Sequence, residues 1–313
     1  MGFSLLYATR AEPFPRRTYR TSFGSCGGTT VGATVPHSES PSAGTEPFVP
    51  GWQAPCRARG VRTQNDFDYG MLEKAGHRPW PLPDSPWIMT QTWHDLLFAH
   101  WPVPADALRP LLPAALPLDT FGGEAWLGII PFDMTNIAPR GLPAIPKLST
   151  SLELNVRTYV TVDGKPGIYF LSLDASNRLA VRVARLLFHL PYHPAAMTLV
   201  PQDGWLRFRS RRTRAGDRAE LACSYRPSGP AQEPRPGTLE HFLTERYCLY
   251  TVDRLARPCR LEIHHNPWPL QPADATIEAN TMGAANGCPV AGPPPLLHYA
   301  RRQDMIAWGL TRV

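Results

Sequence analysis

Glu153, Asn155 and Arg157 alternate with Leu152, Leu154 and Val156. In a strand, that spacing aims a carboxylate, an amide and a guanidinium at one place. On a surface strand such a face is simply wet. Inside a closed barrel it lines the lumen, where an unpaired carboxylate is costly and a Glu–Arg pair is preferred. The residues alone leave both readings open. Tyr192 and His193 stand between Pro191 and Pro194, so their backbone is held and their side chains are presented. Helix termination accounts for the prolines but not for a tyrosine and a histidine there. His265 follows Cys259, Leu261 and Ile263 on one strand face, while His264 follows Arg260 and Glu262 on the other. A histidine so placed is either a pocket acid or base or a satisfied core residue.

Metal chemistry finds little support. Adjacent histidines point to opposite faces, and His94 and His100, although expected on one strand face, lie about 20 Å apart along it. The six cysteines contain no C-x-x-C pair. Nucleophile elbow, Walker loop and dinucleotide fingerprint are all missing. No metal and no cofactor is expected.

The elements that must position these residues read as strands with few helices. Thr92 to Trp101, Ala125 to Phe132, Ser151 to Tyr159 and Gly167 to Leu173 read as strands, the last two joined by an Asp163-Gly164 turn. Ser176 to His189 is the best helix, with Leu179, Ala180, Val183, Leu186 and Leu187 as its apolar stripe, Arg178, Arg182 and Arg185 as its wet face, and Asp174 or Ser176 as its cap. Later strands are expected at 205–211, 218–225, 247–253, 259–265 and 298–308, with short helices at 104–112 and near 238–244. Strands outnumber helices, and only one good crossover is present. The fold class is therefore mainly β (α+β): an antiparallel, barrel-like or strongly curved sheet with a few helices packed at the side.

Proline makes up 36 of 313 residues, which excludes long helical bundles and coiled coils. No apolar run reaches the ~18–20 residues of a membrane helix. The formal charge is +6, with Lys74, Lys147 and Lys165 the only lysines, an arginine skew better read as codon usage than as a nucleic-acid surface. One cluster, from Arg207 to Arg218, falls on a hairpin with its turn at Ala215-Gly216-Asp217 and reads as a solvated tip. Without zinc spacing or a signal peptide, the cysteines point to a reduced, cytoplasmic protein. The first 70 residues hold six Leu, Val or Ile residues, too few to offset ~1–2 kcal/mol of backbone entropy per residue. Residues 1–70 are expected to be disordered, either a genuine tail or an upstream read-through with Met71 as the start, leaving 71–313 as a single β-rich domain.

Several segments in order resemble the YqjF-like family of uncharacterised bacterial proteins: HRPWPLPDSPWIMTQTWHDLLFAHWPVP, LDTFGGEAWLGIIPFDM, GIYFLSLDAS, ARLLFHLPYH, ERYCLY and IHHNPWPL. The resemblance covers about 77–310. That family is similar in fold to acetoacetate decarboxylase, whose cone-like barrel encloses a polar pocket, and this implies that the Glu153 face points into a lumen. The decarboxylase uses a Schiff-base lysine in a Pro-Lys-Lys segment; the comparable place here is Leu190-Pro191-Tyr192-His193, without lysine. Lys147 precedes Glu153, in the wrong chain order, and Lys165 sits beside a hairpin turn. A nucleophilic amine needs a pKa near 7, which an exposed lysine lacks.

The resulting expectation is a protein that binds a small anionic or carbonyl-bearing molecule without Schiff-base decarboxylase activity. Arg157 would hold the anion, Asn155 would contribute to binding, and Glu153 would orient Arg157 or exchange a proton. Tyr192, His193 and His265 are the acid–base candidates. The rivals are a lysine-independent enzyme of hydration, isomerisation or lactone chemistry, and an interaction protein using the arginine hairpin. The partner expected is a small-molecule ligand, with no membrane and no nucleic acid; a homo-oligomer is left open.

Overall fold

The alternation at Ser151–Tyr159 becomes one strand of a large curved sheet in the computed structural model, which describes residues 66–145 and 149–313. The strands are β1 (Met89–Val103), β2 (Ala125–Pro139), β3 (Ser151–Val162), β4 (Lys165–Ala175), β5 (Tyr192–Gln202), β6 (Trp205–Arg212), β7 (Glu220–Pro227), β8 (Cys248–Val252), β9 (Pro258–His264), β10 (Gln271–Asn280) and β11 (Leu296–Arg312). The helices are α1 (Ala105–Leu108), α2 (Arg178–Phe188), α3 (Leu239–Thr244) and α4 (Met282–Ala285).

Two long-range pairings close the sheet. β1 pairs antiparallel with β11, and β4 pairs in parallel with β8 through Ile168–Leu249 and Tyr169–Tyr250. With β8–β9 and β9–β11, these complete a ring of β1, β2, β3, β4, β8, β9 and β11. Closure removes the exposed edges that a seven-stranded open sheet would present. β5, β6, β7 and β10 leave the ring at β4 and rejoin it at β11, forming a second layer against its outside. The main core lies between them, where Leu154, Val156 and Val160 of β3 meet Met197, Phe208, Leu221 and Tyr225. Both faces of β3 are therefore buried, and the wet-surface reading of Glu153 fails.

A β-bulge sets what the ring presents inward. Asp95 has φ 52°, a left-handed conformation that aspartate tolerates better than most residues. The β1–β2 register shifts between His94 and Ala99. The shift puts Trp93 on the same side as Leu96 and Phe98, so His94 and His100 do not share a face as expected. His94 Nε2 instead lies 2.8 Å from Thr135 Oγ1. Two tyrosines of the second layer and β11 satisfy the bulge: Tyr225 donates to the Asp95 carbonyl at 2.6 Å and Tyr299 to its carboxylate at 2.5 Å. Pro131 lies where this ladder is interrupted, so its missing N–H costs no β1–β2 bond.

Helix α2 is capped by Asn177, whose side chain accepts from the amides of Leu179 and Ala180, both at 3.1 Å. Neither expected cap serves: Asp174 is committed to Arg212, and Ser176 accepts from Leu152. The stripe expected to be buried is divided. Ala180, Ala184 and Phe188 face the ring interior, whereas Leu179, Leu186 and Leu187 are exposed at 56%, 62% and 57%.

Of the disorder expected over 1–70, the part at 1–65 lies outside the described residues, as does Lys147. Residues 66–70 are placed against β11: Asp66 pairs with Arg302, and the Asp68 amide donates to Asp304 at 3.2 Å. They lead into a 3-10 turn at Tyr69–Glu73. Among the described residues, no helix is long and apolar enough to cross a membrane.

Candidate functional site

The ring encloses a cavity of ≈ 190 Å³ whose walls come from all seven of its strands and from the inner face of α2. Glu153, Asn155 and Arg157 project into it from β3, with exposures of 4%, 5% and 6%. Tyr192 reaches it from the start of β5, since β5 pairs with β4 through Leu173–Tyr192 and Asp174–His193. Strand alternation then sends Tyr192 inward and His193 outward. Trp93, Phe98, Phe132 and Trp268 form an aromatic wall, in which Trp93 and Trp268 stack at 5.8 Å.

Glu153 sits at one end. The Tyr192 hydroxyl donates to its Oε2 at 2.9 Å. Burial pushes the Glu153 carboxyl up to about 8, against the pull of the Tyr192 hydrogen bond and with a further push from Asp174. At neutral pH the group is a carboxylic acid with a proton to donate. Burial first, then the neighbouring carboxyl, holds the Tyr192 phenol well above its usual range.

Arg157 lies four residues further along the strand, about 13 Å by strand rise. Its Nη2 donates to the Leu243 carbonyl at 3.0 Å, and its guanidinium lies 5.5 Å from the Phe98 ring and 5.8 Å from that of Tyr159. Nε has no hydrogen-bond partner, and among the described residues no carboxylate pairs with Arg157. Asn155 Oδ1 is likewise buried without a partner. The expected Glu153–Arg157 pair therefore does not form: Tyr192 orients Glu153, and a main-chain carbonyl with two aromatic rings orients Arg157. Beneath them, His100 Nε2 lies 2.8 Å from the Tyr159 hydroxyl, which donates to the Leu243 carbonyl at 3.0 Å. Burial, with Arg157 second, holds His100 well below the usual imidazole range and so neutral.

His265 also lines the cavity, but its nitrogens are turned to the main chain. Nδ1 lies 2.8 Å from the Asn266 carbonyl and Nε2 3.3 Å from that of Arg246. Its ring stacks on Tyr247 at 4.7 Å, and burial lowers its pKa. That arrangement suits a wall better than a proton carrier. His193 stands outside the cavity, with Nδ1 3.6 Å from Asp217 Oδ2. The expected set thus divides: Glu153, Asn155, Arg157, Tyr192 and His265 meet in one chamber, and His193 does not.

Sequence reasoning missed Arg246 and Trp93. Arg246 lines the chamber with its guanidinium 5.0 Å from the Tyr159 ring, and its Nη1 donates to Asp119 at 2.7 Å. It stands in the ERYCLY segment, one residue from the start of a strand read without its inward face. Among the described residues no lysine lines the chamber; Lys165 lies 3.4 Å from Glu262 and 5.2 Å from the Trp80 ring. No cluster of three or more metal-ligating side chains is found among them either. The arrangement offers a neutral acid at one end and a buried cation at the other, with apolar walls between.

Comparison with known proteins agrees with this architecture. The family model DUF2071, described as an uncharacterized conserved protein, matches residues 90–304. The uncharacterized protein YqjF of Bacillus subtilis (strain 168) is 46% identical over 242 residues, covering 77% of this chain and 99% of its own length. An acetoacetate decarboxylase-like enzyme from Sphingomonas wittichii RW1 superposes with a TM-score of 0.52 at 14% identity, covering 76% of this chain and 100% of its own. The enduracididine biosynthesis enzyme MppR complexed with pyruvate superposes at 0.50 with 12% identity, covering 75% and 93%. The fold is acetoacetate decarboxylase-like, in keeping with the mainly β barrel read from the sequence.

Proposed function

This chain belongs to the DUF2071 family of uncharacterized conserved proteins, and from that premise we propose that it binds a small carboxylate bearing a carbonyl group and a short apolar body, without forming a Schiff base. The observation that carries the reading is Arg157: a guanidinium 6% exposed, with an unpartnered Nε and no carboxylate beside it among the described residues. A buried charge left uncompensated costs several kcal/mol unless something pairs with it. An anionic ligand is the natural complement. Aromatic and aliphatic walls favour an apolar remainder. The protonated Glu153, steadied by Tyr192, is suited to donate a hydrogen bond to a carbonyl oxygen. Pyruvate in the similar MppR structure supports the oxo-acid class.

A second reading has one specific observation behind it. Glu153 keeps a transferable proton near neutral pH in a chamber with mostly apolar walls, a condition that also serves lysine-independent acid–base chemistry such as enolisation or hydration.

Thermal-shift measurements on the full chain with pyruvate, α-ketoisocaproate, isocaproate and methyl isobutyl ketone test the binding reading. α-Ketoisocaproate should raise Tm most, isocaproate less and the uncharged ketone least, and Arg157→Met should abolish the advantage of the acids over the ketone. Equal shifts in the variant would overturn the assignment of Arg157. A borohydride-stable adduct of α-ketoisocaproate detected by mass spectrometry would overturn the exclusion of a Schiff base.

A further inference from the structure

On the other side of Tyr192 lies a second concavity, a groove of ≈ 470 Å³ that shares Phe170, Leu190 and Tyr192 with the chamber wall. Its rim carries Arg185 from α2, Arg214 from the turn between β6 and β7, and Arg254 from the turn between β8 and β9, with His189 and His193 between them. Three separate elements thus bring guanidiniums to one hollow. None of the three has a carboxylate partner among the described residues. Two acids stand there already engaged: Asp253, which also lines the groove, pairs with Arg257 at 2.6 Å, and Asp217 beside it pairs with Arg212 at 3.2 Å. Arg212 itself is buried, its Nε donating to both Asp174 oxygens at 2.9 Å, which fixes the floor beside His193. Positive charge lining a concave, partly desolvated surface focuses its field more strongly than the same charge on a convex one.

We propose that this groove is a binding site for a phosphate-class oxyanion, either the free ion or the phosphoryl end of a larger molecule. Three guanidinium forks approaching from different elements match an acceptor with several equivalent oxygens, where a planar carboxylate would engage one fork fully. Tyr169 and Phe170, also among the groove's walls, offer an apolar surface for whatever the phosphoryl group carries. The arginines of the β6–β7 hairpin divide accordingly: Arg212 is structural, Arg214 faces the groove, and Arg209 lies on the far side, paired with Glu278 at 3.0 Å. His193 reports on the groove. Burial lowers its pKa, as do Arg212, Arg185 and Arg214, against the opposing effect of Asp217. The site is independent of the carboxylate chamber and stands or falls without it.

The test follows the His193 ring resonance of the full chain by NMR, assigned with His193→Gln, while inorganic phosphate or phenyl phosphate is added at ionic strength held constant with potassium chloride. A saturable shift of His193 is expected. Arg185→Ala and Arg214→Ala, both exposed positions, should each weaken binding about tenfold with unchanged circular dichroism. Arg301→Ala, an exposed arginine outside the groove, should leave it unaltered. Tighter binding of phenyl phosphate would identify the phosphoryl end of a larger molecule as the ligand, and equal binding the free ion. Non-saturating shifts, wild-type affinity in both groove variants, or an equal loss in Arg301→Ala would overturn the proposal.

Discussion

Replacing Glu153 with glutamine should remove a specific part of this protein's pH dependence. The carboxyl titrates near about 8 in the folded state against an ordinary 4.5, chiefly through burial. The folded state therefore keeps a proton that the unfolded state has released, and stability falls as pH rises above about 4.5, flattening once pH exceeds about 8. Over that whole interval the loss is about 5 kcal/mol at ~1.36 kcal/mol per pH unit. Part of the interval is crowded. Asp174, raised to about 6, acts in the same direction at lower pH, while His100, His193, His264 and His265, all lowered, act in the opposite one. Between about pH 7 and pH 9 Glu153 contributes a loss of about 1.4 kcal/mol, and the histidine contributions, shared by wild type and a Glu153 variant, cancel in their comparison.

Glutamine has the shape of the protonated acid and still accepts from Tyr192, so Glu153→Gln keeps the structure and deletes the titration. Urea unfolding of both proteins at about pH 7 and pH 9 measures the difference. With m of about 2–3 kcal/mol/M, wild type should lose about 0.5–0.7 M more in midpoint than the variant. Thiols such as Cys223 and Cys248, pushed up to about 12 by burial, destabilise both proteins equally at the higher pH and cancel in the comparison. Identical pH slopes for the two proteins would refute the claim that Glu153 is protonated in the folded state.

Asp174→Asn leaves the buried Arg212 guanidinium, 4% exposed, with Asp217 as its one remaining carboxylate among the described residues, and should cost about 1–3 kcal/mol, most of it recovered in the Asp174→Asn, Arg212→Met double variant; urea unfolding of the set checks this. Arg157→Met should leave stability unchanged or raise it by about 1–3 kcal/mol in the same assay, because it removes a buried charge that no carboxylate offsets. Gly167→Ala places a Cβ 2.6 Å from a Tyr250 ring carbon and 2.9 Å from the Cys248 carbonyl, at the seam where β4 meets β8. It should cost about 1–3 kcal/mol, read as a fall in Tm, whereas Gly309→Ala, which meets nothing within 4 Å, should cost far less.

Much of the barrel was readable because its strands alternate. The Glu153 face, the Asp163-Gly164 turn and the Thr238-capped helix α3 follow from local pattern and local capping chemistry. Whether that face points to water or to a lumen depends on the β1–β11 and β4–β8 closures, which join residues about 200 and about 80 positions apart and leave no local signal. β5 escaped detection because Pro194 and Pro201 lie within it, and β10 because Pro272 and a run of polar residues mask its alternation. The pairing of His94 with His100 failed at a single residue: the Asp95 bulge changes which side each faces, and two distant tyrosines hold it. Arg246 was hidden in plain view, because an arginine before a strand reads as solvated until a ring closes around it.

Binding of α-ketoisocaproate measured by isothermal titration calorimetry, for wild type and Arg157→Met side by side, tests the central claim most directly. Saturable one-site binding to the wild-type chain at about pH 7, lost in a variant that unfolds at the same or a higher urea concentration, is the predicted result. Binding of equal strength to both proteins, or none to wild type for any acid of the series, would contradict the assignment of the chamber as a carboxylate site.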